Sequence, residues 1–108
     1  MKKKLEKSGF ALISLDPYYL RKNEPGYEKR TAAAMEAVLG VRSDYYHMGK
    51  CYPVYGVYDV VVEVISDGMA GTKLAAESIR NLRIGVERPV ASALPVVIVE
   101  ENTPAYSG

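Results

Sequence analysis

One segment constrains the fold more than any other part of the chain. It runs from Tyr58 to Ile65, is rich in β-branched residues, and stops at a Ser-Asp-Gly turn sequence. β-branched side chains are enriched in strands, and such turn clusters typically bound them. We therefore predict a strong β-strand here, and the remaining elements have to be arranged around it.

Two helical patterns alternate with the predicted strands. The first follows Pro25, a favoured residue in the first turn of a helix, and ends at Gly40, which we expect to form a left-handed cap. The second is expected to begin with a cap at Asp67 and to end at Gly85. Its predicted inner face has apolar and small residues at helical spacing, namely Gly71, Leu74, Ala75, Ser78, Ile79 and Leu82.

Strand, helix, strand thus occurs twice along the chain. The other predicted strands are residues 9–15, a stretch within residues 41–55 that Gly49 and Pro53 interrupt, and residues 90–99. This order predicts an α+β fold of the ferredoxin-like βαββαβ type. Pro89 and Pro95 indicate that the last strand lies at an edge of the sheet, because a central strand would lose ladder hydrogen bonds there.

In such a fold both helices cover the same face of the sheet, which leaves the other face bare. A large apolar face is not stable in water. Pairing with a second copy, sheet against sheet, covers it most simply. We therefore expect a homodimer with the architecture of a dimeric α/β barrel.

Length and charge narrow the classes of protein further. A chain of 108 residues corresponds to one domain, and a net charge of +1 provides no general field for binding nucleic acid directly. A single cysteine fits a reducing compartment, and we expect a cytoplasmic protein without a membrane span. The predicted division is a basic tail over residues 1–8, a folded domain over residues 9–101 and a polar tail over residues 102–108.

Three stretches of the chain contain short motifs whose order is distinctive. The stretch from Val54 to Val64 contains a glycine-x-tyrosine-aspartate signature at Gly56, Tyr58 and Asp59, and residues 79–87 and 94–100 follow it. Together they resemble the ligand-binding (RAM) domain of the Lrp/AsnC transcription regulators, in which the two later stretches are similar to the end of the second helix and to the final strand. The resemblance covers residues 9–101, and we expect no counterpart of the helix-turn-helix of the full-length regulators, because only eight residues precede the first predicted strand.

Two features depart from the family pattern. Family members usually have a threonine shortly before the last apolar run, where this chain offers Ser92 as a replacement hydroxyl. The segment over residues 41–56 is also longer than is usual in the family.

The resemblance implies a stand-alone sensor rather than an enzyme. It would bind an amino acid or a related small metabolite at a subunit interface, and it would form dimers or rings of dimers. It could also join full-length Lrp/AsnC regulators in mixed oligomers. No cofactor, metal or catalytic residue is expected.

The predicted ligand-binding residues are those of the signature with its neighbours: Gly56, Val57, Tyr58, Asp59 and Ser92. Backbone N–H groups exposed at a glycine turn can bind a carboxylate, and the carboxylate of Asp59 can accept hydrogen bonds from an α-ammonium group. The alternative is purely structural: the glycine only turns the chain, and the aspartate satisfies loop amides.

The lone histidine and cysteine give no support to catalysis or metal binding. His47 and Cys51 would lie about 13 Å apart on an extended strand, and two such residues are too few for a zinc site.

Two other functions remain as alternatives. One is a small enzyme of the dimeric α/β-barrel type, such as a monooxygenase or isomerase. The other is a structural partner with a vestigial site.

Overall fold

The computed structural model describes residues 5–98, except the side chains of residues 6–8. It confirms the predicted α+β class, with a four-stranded antiparallel sheet and three helices. In chain order the elements are β1 (Glu6–Leu15), α1 (Pro17–Leu20), α2 (Tyr27–Leu39), β2 (Tyr46–Pro53), β3 (Val60–Ser66), α3 (Met69–Arg80) and β4 (Val90–Val97). None of the helices in this part of the chain has the length and apolar character needed to cross a membrane. The predicted tail over residues 102–108 lies outside the described residues.

The strand order across the sheet is β2-β3-β1-β4, and each neighbouring pair is antiparallel. β4 therefore lies at an edge, as its prolines predicted, and β2 occupies the other edge. β3 is the strong strand of the sequence, although its ladder begins at Val60 instead of Tyr58. β1 starts at Glu6, before the expected residue 9, because its first residues pair with the end of β3.

One face of the sheet is covered by α2 and α3. β1 and β3 place Ala11, Ile13, Val62 and Val64 on this covered face, and all four are fully buried. They form one core cluster with residues of the two long helices: Ala34, Val38, Ala75 and Ile79. Burial of these alternate strand residues is the main hydrophobic stabilisation of the chain.

The opposite face of the sheet, called the open sheet face below, carries the intervening residues. Strand pairing puts Phe10, Leu12, Val61, Ile65, Tyr52, Leu94 and Val96 on this face, together with His47, Glu63, Ser14 and Ser92. Leu94 is 47% exposed and Val96 is 38% exposed. No described helix packs against it, so a mainly apolar surface faces water.

The ends of α2 differ from the prediction. Pro25 is not in its first turn: Gly26 is the N-cap with a φ of 92°, and the helix begins at Tyr27. Gly40 is not a left-handed cap, because its φ is −83°. Its N–H donates to the carbonyl of Ala37, so the chain leaves the helix through a right-handed turn.

The prediction for α3 was also wrong at both ends. Gly68, with a φ of 139°, is the N-cap in place of Asp67. The helix ends at Arg80, while Gly85 lies in a later turn with a φ of 62°. Of the predicted inner face, Leu74 is 47% exposed, and Leu82 lies beyond the helix. Two residues outside that prediction, Thr72 and Ala76, are buried instead.

Two local features were not predicted. The first is the short helix α1, which starts at an Asp-Pro pair where Asp16 Oδ1 accepts a hydrogen bond from the Tyr18 amide at 2.8 Å. The second is a bulge in β2 between Met48 and Cys51. There the Lys50 amide donates to the Glu63 carboxylate at 3.0 Å, which satisfies a donor that the ladder has lost.

Candidate functional site

The signature segment forms the connection between β2 and β3. The Val54 amide donates to the Asp59 carbonyl at 3.0 Å and closes the connection, while the Asp59 amide donates to the Ile13 carbonyl at 2.8 Å. Gly56 has a φ of 122°, a conformation that side chains disfavour, so the turn requires glycine. Tyr55 and Val57 on either side of it are exposed.

Asp59 is held by two contacts to different parts of the chain. Its Oδ2 accepts a hydrogen bond from the Leu15 amide at 2.8 Å, where β1 runs past the start of β3. Its Oδ1 lies 3.6 Å from Lys22 Nζ, in the segment between α1 and α2. The first contact is the structural role considered for this residue, and the second places an ion pair at the surface.

A cleft of about 530 Å³ opens beside this ion pair. Its walls are the first turns of α2, the segment that precedes α2, and the β2–β3 connection. Gly56, Tyr58 and Asp59 line it together with Lys22. Apolar side chains supply much of the remaining wall: Leu20, Tyr27, Met35, Pro53 and Val54. This first cleft has the usual composition of a small-molecule site, a mainly apolar wall with a few polar groups.

A second and more open cleft, of about 930 Å³, adjoins the same ion pair. Gly56, Val57 and Asp59 line it, with Lys22 and Arg21 from the segment after α1. Lys22 and Asp59 border both clefts. The ion pair is therefore shared by the two clefts.

The structure brings four of the five predicted ligand-binding residues to these clefts. Ser92 is the exception, since neither cleft includes it in its lining. It lies on the open sheet face, where it pairs with Ser14 of β1. Ser14 lines the second cleft, so the edge of that cleft adjoins the open sheet face.

The sequence prediction missed the residues that α2 and its preceding segment contribute. Lys22, Tyr27, Glu28 and Thr31 all line the first cleft. The sequence offered one indication, the polar connection over residues 18–26 that begins with two tyrosines. Nothing in this connection indicates that it packs against the signature.

His47 and Cys51 lie on opposite faces of the sheet. His47 pairs with Ile65 on the open sheet face, whereas Cys51 pairs with Val62 on the covered face. Burial raises the pKa of the Cys51 thiol to about 11, which the Tyr52 backbone amide offsets only partly. The thiol is therefore protonated at neutral pH and a weak nucleophile. Across residues 5–98, no group of three or more histidine, cysteine or acidic side chains is placed to hold a metal ion.

The chemistry available at the first cleft is charge recognition beside an apolar wall. One ammonium and one carboxylate are presented side by side, and both are partly exposed. A ligand that carries both charges can pair with the ammonium and the carboxylate in place of their ion pair with each other. Comparison with protein-family models, with curated proteins and with solved structures gave no match to this chain.

Proposed function

We propose that this chain is a non-enzymatic effector-binding domain that takes up an amino acid or a related small metabolite in the first cleft. The observation that carries the proposal is the Lys22–Asp59 ion pair beside the Gly56 turn. The α-ammonium and α-carboxylate groups of an amino acid are neighbours, as the two side chains are. The ligand carboxylate binds Lys22, and the ligand ammonium binds Asp59.

The proposal includes self-association through the open sheet face. The strand order and the helices on one face are compatible with a ferredoxin-like fold, and a second copy stacked on the open face would complete a dimeric α/β barrel. Because Ser14 belongs to both the open sheet face and the second cleft, a partner copy would lie close to the ion pair. An effector that binds one assembly state more tightly than another would then shift the assembly.

The resemblance to the Lrp/AsnC ligand-binding domain supports the same function. On this proposal the domain forms dimers or rings of dimers and joins full-length regulators of that family, so that effector binding changes the composition of the oligomer. The proposed compartment is the cytoplasm, because one cysteine cannot form an internal disulfide.

Thermal melting against a panel of amino acids tests the proposal, with light scattering to follow the size of the particle. A ligand at a hundred times its Kd adds about 2.7 kcal/mol to the free energy of unfolding, which corresponds to several degrees. We expect a selective shift in the wild-type protein. Lys22→Met should abolish it while leaving the hydrogen bond between Asp59 and Leu15 in place.

Lys29→Met is the matched control, because Lys29 is an exposed lysine of α2 that lines neither cleft. It should keep the full shift. A panel in which no amino acid changes the melting temperature contradicts the proposal, as does a shift that survives Lys22→Met.

A further inference from the structure

The charged groups of the first cleft are not balanced. Its lining contains one cation, Lys22, and two carboxylates, Asp59 and Glu28, so these groups carry a net charge of −1. Lys22 and Asp59 neutralise each other across 3.6 Å. Glu28 lies outside that pair, exposed in the first turn of α2.

Three tyrosines line the same cleft. Tyr27 comes from the start of α2, and Tyr55 and Tyr58 come from the β2–β3 connection. The face of an aromatic ring carries negative potential and attracts a cation within about 6 Å. The rings therefore favour the same sign of charge as Glu28 does.

A neutral amino acid would use only the ion pair. Its two charged groups match Lys22 and Asp59, and its side chain would place apolar atoms next to the carboxylate of Glu28. A ligand with one more positive charge satisfies all three charged residues of the lining. The cleft, at about 530 Å³, has room for a long side chain.

We infer that the effector is a basic amino acid of the lysine or ornithine type, whose side-chain ammonium binds between Glu28 and the tyrosines. This inference rests on the proposed function, since it uses the Lys22–Asp59 pair as the anchor for the α-carbon groups. It names the class of ligand by its charge: two ammonium groups and one carboxylate.

Isothermal titration calorimetry with L-lysine and L-norleucine tests the inference at matched ionic strength. Norleucine has the same carbon chain without the terminal ammonium. Wild-type protein should bind lysine at least about fivefold more tightly than norleucine, from one exposed ion pair and cation–π contacts. Glu28→Gln should lower that ratio by weakening lysine alone, leaving only the contribution of the tyrosines.

Glu36→Gln is the matched control for the loss of one negative charge elsewhere on the protein, because Glu36 is an exposed carboxylate of α2 outside the cleft. It should keep the wild-type ratio. Norleucine binding as tightly as lysine would overturn the inference and leave the amino-acid site standing, and loss of the ratio in Glu36→Gln would also overturn it. Absence of binding by any amino acid would overturn both the inference and the proposed function.

Discussion

The covered and the open faces of the sheet are built from alternate residues of the same strands, but they face different surroundings. Ile13 and Val62 of the covered face are completely buried under the helices. Their neighbours Leu12 and Val61, on the open sheet face, are only partly buried. The comparison shows that alternate residues of one strand differ in role: one set stabilises the fold under the helices, and the other leaves a partly exposed apolar surface.

The largest expected effect separates two adjacent residues of β1. Ile13→Ala removes a buried side chain from the covered face and should lower the free energy of unfolding by about 2–5 kcal/mol. Leu12→Ala should cost about 1 kcal/mol or less in the isolated chain, because the site is already partly hydrated. Urea unfolding at low protein concentration measures both, and equal losses would mean that the two faces do not differ as described.

Substitutions at two glycines, Gly9 in β1 and Gly49 in the bulge of β2, extend the comparison to the backbone. A Cβ at buried Gly9 would collide with the Val96 carbonyl oxygen across the β1–β4 ladder, so the strands would have to move. We expect Gly9→Ala to cost about 1–3 kcal/mol. A Cβ at Gly49 would meet the Glu63 side chain, with Oε1 at 2.7 Å and Cβ at 3.0 Å, and the carboxylate can move at the expense of the hydrogen bond from the Lys50 amide. Chemical denaturation should therefore give a smaller loss for Gly49→Ala, and the reverse order would contradict this account.

The role of the open sheet face can be tested with two leucines that are each 47% exposed. Leu94 lies on the open sheet face, and Leu74 lies on the outer side of α3. Leu94→Lys should raise the dissociation constant of the proposed dimer at least about tenfold, because it introduces a charge into an apolar interface. Leu74→Lys should leave it unchanged in sedimentation equilibrium. Dissociation by Leu74→Lys alone would place the interface on the helices.

The last expected effect is the response of the covered face to pH. Because burial raises the pKa of Cys51 from 9.0 to about 11, the folded chain keeps a proton that the unfolded chain loses. The free energy of unfolding should therefore fall as the pH rises from 9.0 to about 11, beyond any change seen in Cys51→Ala. Denaturant unfolding of both proteins across this range measures the difference, and identical curves would mean that the thiol is not shielded.

The sequence predicted the class and the periodic parts of the fold for a clear physical reason. β3 shows strong β-branched enrichment, and Pro95 is compatible only with an edge strand, so each carries a local signal. Helix ends carried no such signal. Gly40 and Gly85 are both residues that can form a left-handed helix cap. At Gly40 the backbone hydrogen bonds at the end of α2 keep a right-handed conformation, and α3 ends at Arg80, before Gly85.

The candidate site was predicted only in the half that lies on the signature. Gly56 and Asp59 have local reasons to be there, a turn with positive φ and a strand start that needs an acceptor. Lys22 and Glu28 reach the cleft through tertiary packing of α2 and its preceding segment. No pattern within that segment encodes such packing, and Ser92, selected through the resemblance, lies apart from both clefts.

Both outer strands of the sheet are poor templates for further strands. β4 contains Pro95, which has no N–H to offer to a neighbour, and β2 contains the bulge at Gly49 and Lys50 and ends at Pro53. Bulges, prolines and edge lysines are the devices that prevent one sheet from adding to another side by side. Growth into open-ended fibrils by pairing of strands at these edges is therefore disfavoured.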